Sequence, residues 1–221
     1  MIINREHDFG FVHIPKCAGS TVREQLRDKD DLDGRFYRTM QVEGLGKING
    51  NHVPLRWLAE HFPEDYAALR AVRSYTISRK PMDRFVSAVS QRIRAMGQEP
   101  GNLSAPEIHR LTGEILTHLE KAQGFPTGLY TIFMRQIDFT RHEGEQVVTE
   151  IWPMENIDAF FDMLEDRHRL PLIRDKVWNP TVTYRVPAMA GPLKRAKDIA
   201  KKMLPVKSYA ALRDLGVKTF T

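Results

Sequence analysis

Phe11-Val-His-Ile-Pro-Lys-Cys-Ala-Gly-Ser-Thr21 decides the fold class. The short, mostly apolar run 9–14, closed by Pro15, has the composition of a buried strand. Beyond the turn at 15–20, Val22 and Leu26 recur at helical spacing, so a helix is expected from Thr21 to about Arg27. A strand, a tight loop and a helix in that order open many nucleotide-binding α/β folds. The first backbone N–H groups of such a helix lack intrahelical partners, and the helix dipole favours an anion there. Gly19 permits close approach of the backbone to a phosphate, Ser20 and Thr21 add hydroxyl donors, and Lys16 adds a mobile positive charge. With Cys17 and Ala18 completing the turn, residues 16–21 are read as a phosphate cradle.

The residue order is not that of the ATP-binding P-loop, where the lysine follows the second glycine. Here Lys16 precedes Gly19. Gly44-Leu-Gly-Lys47 is followed by Ile48 instead of Ser or Thr, and Asn49 stands where a dinucleotide fingerprint has its last glycine.

A second strand-to-helix junction lies at Ser78-Arg-Lys-Pro-Met-Asp-Arg-Phe-Val-Ser-Ala88. Residues 71–78 read as a core strand, and Pro81 suits the first turn of a helix. Arg79 falls at the strand end. Arg84 and Ser87, three apart, share a helical face distinct from that of Phe85 and Val89. An arginine forks onto phosphate oxygens and a serine donates a further hydrogen bond, so Arg79 and Ser87 are candidates for a second phosphate. Arg84 is open to two readings, a phosphate ligand or a solvated helix residue.

His13-Ile-Pro-Lys-Cys-Ala-Gly-Ser-Thr21 resembles the first motif of sulfotransferases that use 3′-phosphoadenosine 5′-phosphosulfate (PAPS), and most of all the carbohydrate branch containing the heparan 2-O enzymes. The segment 78–88 is similar to that family's second motif, with Lys80 where an acidic residue or Asn is usual. The resemblance implies that residues 16–21 hold the 5′-phosphosulfate end of the donor and that Arg79 and Ser87 hold its 3′-phosphate. It also implies an α/β, P-loop-like domain with a central, mostly parallel sheet flanked by helices. Glu150–Asn156 and the segment 208–214 with Phe220 are weaker echoes without chemistry.

Sulfuryl transfer asks a protein to orient two reactants and to stabilise charge on the departing bisphosphate. Lys16 is the expected stabiliser. An acceptor hydroxyl needs a general base titrating near neutrality, a histidine or a carboxylate, and the chain has eight histidines; the resemblance points among them to His52 in Gly50-Asn-His-Val-Pro54. The heparan 2-O-like branch is similar in carrying a Gly-x-His segment that supplies its base. Left to itself, His52 also fits an exposed or capping loop residue. No metal is expected: the sole cysteine, Cys17, excludes a cysteine cage, and no His-Glu-x-x-His occurs. Cys17 inside the cradle fits either a small packing residue or a thiol activated by the helix start.

Working outward, helices are expected over 55–61, from Pro81 with Phe85, Val89, Ile93 and Met96 on one face, from Ala105 or Pro106 through Leu119, and after Asn156 with Ile157, Phe160, Phe161 and Leu164. A short strand is expected near 36–39 and another over 147–152, with loops across 29–51 and 97–105, a break at 124–128, and tail helices over 193–203 and 208–215. Residues 1–221, without repeats or low-complexity linkers, read as one domain. The 42% hydrophobic and 28% charged content excludes wholesale disorder.

The net charge of +5 suits an anionic ligand only where it gathers in a cleft. Basic residues are not interleaved with aromatics in a nucleic-acid module, so no nucleic-acid partner is expected. The polar stretch 1–8 does not read as a signal peptide and no run reaches membrane-spanning length, so a cytoplasmic protein is expected. The expected partners are the nucleotide donor and a hydroxylated acceptor: a glycan, a lipid or a metabolite. Two rivals stay open, an ATP-using kinase with a degenerate P-loop and a non-catalytic nucleotide- or polyanion-binding module.

Overall fold

The computed structural model describes residues 1–122 and 126–172. The expected tail helices, and Gly124 of the expected break, lie outside the described residues. Four strands form the main sheet in the order β1 (Ile2–Asn4), β2 (Phe9–Phe11), β5 (Arg73–Ser78), β8 (Glu150–Pro153). β2, β5 and β8 run parallel, and β1 is an antiparallel edge. Two small hairpins, β3 (Thr39–Val42) with β4 (Gly46–Asn49) and β6 (Arg141–His142) with β7 (Glu145–Gln146), stand apart from it. The molecule is mixed α/β with a mainly parallel sheet flanked by helices.

Side-chain alternation on β2 shows how the sheet is covered. Phe9 and Phe11 face α6 (Ile157–His168), whose Phe160 ring meets Phe11, Tyr75 and Trp152 at 6.1, 6.1 and 5.8 Å. Gly10 faces the other way, where a Cβ would meet Leu69 of α3 (Pro63–Arg70) at 3.0 Å. β5 is buried on both faces, so its hydroxyls need internal acceptors: Thr76 donates to the Val12 carbonyl at 2.6 Å and Ser74 to that of Val147 at 3.3 Å.

The remaining helices are α1 (Gly19–Leu26), α2 (Leu55–His61), α4 (Pro81–Ala95) and α5 (Ala105–Lys121). Val89 and Ile93 of α4 pack with Leu111 and Ile115 of α5 as a second apolar cluster. α5 starts where expected because the Glu107 carboxylate accepts from both the Ser104 N–H and its hydroxyl.

Several expectations shift. The first strand ends at Phe11, since β1 runs out at Ile2 opposite it and Val12 pairs only with Tyr75. Arg35–Tyr37 is a tight 3-10 turn, and the strand expected near 36–39 lies at Thr39–Val42. The strand expected over 147–152 begins at Glu150, because Val147 and Val148 donate instead to the Thr140 carbonyl. Met96 lies past the end of α4 and is 45% exposed, so it does not belong to that helix's core face. Gly44 and Gly46 serve the β3–β4 turn at positive φ, 78° and 72°, which accounts for that glycine run without a nucleotide. Among the described residues no helix is long and apolar enough to cross a membrane.

Candidate functional site

The loop joining β2 to α1 bends through two left-handed residues, Lys16 at φ 67° and Ala18 at φ 56°. Non-glycine residues adopt this region at a cost, and such bends turn consecutive N–H groups towards one concavity. The Ala18 carbonyl accepts from Thr21 at 2.9 Å and Val22 at 3.4 Å, which closes the first turn of α1. The N–H groups of Lys16, Cys17, Ala18, Gly19 and Ser20 have no acceptor among the described residues. No acidic side chain occupies the first turn of α1. Free N–H groups at a helix start with no carboxylate beside them are the kind of arrangement that takes an anion.

Two cations stand beside it. Lys16 is half-buried, and burial, followed by the neighbouring charges of Arg94 and Arg79, lowers its pKa. Arg79 directly follows β5, and its Nε is buried without a partner. Neither Lys16 nor Arg79 makes an ion pair among the described residues. Two cations held near one another without a counter-charge store repulsion that an anion would relieve. Ser87 sits half-buried on α4, its hydroxyl unpartnered among the described residues, as is that of Ser20.

Arg84 is not a phosphate ligand in this arrangement, nor is it solvated. It is 7% exposed, and its guanidinium donates to the carbonyls of Pro15 at 3.2 Å, Ile132 at 3.1 Å and Met134. It ties the start of the cradle to the segment 132–134. Arg84→Met strands three acceptors, and at about 1 kcal/mol for each group left dry, the low end of such costs, it should lower Tm by at least roughly 6–12 °C. An unchanged melt would show that the guanidinium carries no structural load.

Cys17 is buried, with Sγ 3.6 Å from the Pro15 carbonyl and 3.4 Å from Gln136 Oε1. Burial pushes its thiol up to about 11, against the pull of Arg84, Arg79 and Lys16. The thiol is therefore an inert packing group, and only the backbone of Cys17 remains available to an anion.

His13 and His52 meet across the cradle. Their rings form an edge contact with centroids 4.6 Å apart, and Nδ1 of each is buried without a partner. The His13 ring fills the place of a Gly19 side chain: a Cβ there would lie 1.8 Å from His13 Cδ2. Gly19 is thus required by packing as well as by any ligand. Burial first, then the charge of the N-terminal amine and, more weakly, those of Arg23 and Lys16, lower the His52 pKa to about 4, while a hydrogen bond to the His13 backbone opposes the shift. His52 is accordingly neutral at pH 7, but burial sets its pKa well below the near-neutral value expected of a general base. It ends a 3-10 turn, Gly50–His52, fixed from two sides: Arg23 of α1 donates to Asn51 Oδ1, and Gly50 N–H donates to the Arg38 carbonyl at 3.1 Å.

Sequence reasoning missed Gln136, Arg23 and Asn51. Each acts through a hydrogen bond across many positions, which no local pattern announces. Arg92 lies over the Tyr130 ring at 4.9 Å, Arg94 pairs with Glu99 at 3.6 Å and Arg110 with Glu114 at 2.6 Å. A concavity of about 470 Å³ lined by Arg27, Asp30, Tyr37 and Arg38 opens at the other end of α1 and does not include the cradle. Among the described residues no three His, Cys, Asp or Glu side chains gather as a metal site. No family model, no curated protein and no solved structure matches this chain.

Proposed function

We propose that the protein is a PAPS-dependent O-sulfotransferase with a P-loop-like fold. One observation carries the reading: Lys16 and Arg79, whose buried Nε has no partner, stand near one another at a cradle of free amide N–H groups, with the neutral His52 imidazole within reach of the Lys16 charge. The donor fits that set, because its two phosphate ends need separate cationic anchors and its leaving group needs a nearby positive charge. Residues 16–21 would hold the 5′ end, and Arg79 with Ser87 the 3′-phosphate. The donor supplies an activated sulfuryl group. Lys16 stabilises charge on the departing bisphosphate, and His52 takes the proton from the acceptor hydroxyl. The acceptor is a hydroxylated molecule such as a carbohydrate.

Calorimetric titration without added metal tests this. Adenosine 3′,5′-bisphosphate should bind in preference to ATP, and Arg79→Ala should weaken it about 10- to 100-fold, the worth of a charge-assisted hydrogen bond. Binding that needs ATP with magnesium would favour a kinase and end the sulfotransferase reading. Tight bisphosphate binding without transfer to any hydroxylated acceptor would instead favour a binding module.

A further inference from the structure

β5 ends at Ser78, which stands opposite Pro153 of β8. The next residue is Arg79, and a side chain takes over its backbone. Gln136, opening the 3-10 turn Gln136–Phe139, accepts from the Arg79 N–H at 2.9 Å through Oε1 and donates to the Arg79 carbonyl at 2.8 Å through Nε2. The same Oε1 accepts from the Cys17 thiol at 3.4 Å. The orientation of the amide is unambiguous, since the reverse one would set its NH₂ against the Arg79 N–H.

Gln136 is itself anchored. The turn it opens is closed by Asp138, which accepts from the Arg135 N–H at 3.0 Å, and the preceding Met134 carbonyl is held by Arg84. Arg84 also holds Pro15, at the entrance of the cradle. One amide therefore touches both the loop that carries Lys16 and the residue that carries the second cation, from a base fixed to each.

We infer that Gln136 is a positioning residue that sets the spacing between the 16–21 cradle and Arg79, and so selects a nucleotide bearing two separated phosphates over one bearing a single phosphate. The inference rests on the donor assignment above. A ligand that reaches one site gains nothing from a fixed spacing. A ligand that spans both gains the whole of it, because the sites need not be brought together on binding.

The test is calorimetry of adenosine 3′,5′-bisphosphate and adenosine 5′-monophosphate on wild type, Gln136→Met, Arg79→Ala and the double variant. Gln136→Met keeps the volume and removes both backbone bonds. It should weaken the bisphosphate about 10-fold, the worth of two such bonds, and leave the monophosphate within about 2-fold. In the Arg79→Ala background it should change neither ligand. An equal loss for both ligands, or a full loss persisting without the Arg79 side chain, would overturn the positioning role and leave the donor reading intact. A wild type that does not prefer the bisphosphate would overturn both. Gln136→Glu, which keeps the acceptor for the Arg79 N–H and the thiol, supplies the comparison should the methionine variant fail to fold; an unchanged ligand ratio there would count against the inference.

Discussion

Lys16→Ala should lower turnover by about 10²–10³, the cost of removing one preorganised donor from developing negative charge. The substitution isolates that charge. Lys16 occupies a left-handed backbone position at φ 67°, and alanine carries the same Cβ, so the local strain is unchanged. The lysine makes no ion pair among the described residues, so its loss strands no carboxylate. It stands instead beside Arg79 and Arg94, whose charges with burial already depress its pKa. Removing it relieves repulsion in the empty cradle, and Tm should hold or rise. Turnover measured with labelled donor, alongside a thermal melt, separates the two effects. A fall of less than tenfold with an intact fold would take Lys16 out of the chemistry.

That charge cluster was legible in the sequence because Arg79 directly follows a strand and both cations stand just before a helix start. Strand ends are where a parallel sheet delivers side chains to one edge, and Pro81 and Gly19 mark the helix starts locally. α5 and α6 were legible for a similar reason, since Leu111 with Ile115 and Phe160 with Leu164 repeat at helical spacing. β1 was not, because three residues are too few to show alternation and Ile2–Asn4 joins the sheet only by meeting Phe9–Phe11. α3 carried a readable start, Pro63 with Glu64 and Asp65 in its first turn, but its few apolar positions gave no clear stripe.

The site shows the same division. The cradle and Arg79 are local patterns, whereas Gln136 lies 57 positions from the backbone it holds. Arg84 illustrates how a motif residue can be assigned to the wrong partner. Its spacing from Ser87 suggested a shared ligand, yet three carbonyls from two other segments hold it. A guanidinium surrounded by protein acceptors is a joint between loops, and only tertiary contacts distinguish that from a solvated or ligand-binding arginine.

His52→Gln should reduce turnover by about 10²–10⁴ while bisphosphate affinity changes little, because glutamine fills the site without accepting a proton. The groups facing His52 give this prediction a pH signature. On one side lies the His13 ring, and from α1 and the cradle come the charges of Arg23 and Lys16. Burial and the charges of the N-terminal amine, Arg23 and Lys16 disfavour the imidazolium, against a hydrogen bond to the His13 backbone, so the base stays neutral down to about pH 4. Protonated His52 cannot act, and kcat/KM, which reports the free protein, should lose activity as pH falls through about 4 and not near 6.5. A bound donor adds negative charge beside Lys16 and favours the imidazolium, so the acid limb of kcat should lie at higher pH than that of kcat/KM.

Stability follows the same group in the same direction. The unfolded chain protonates His52 near 6.5 and the folded chain resists until about 4, so the native state loses stability as pH falls across that window and the slope then levels off. His52→Gln should flatten this part of the Tm–pH curve. An acid limb near 6.5 in the free protein, or a curve that the substitution leaves unchanged, would mean that His52 is not the buried neutral base.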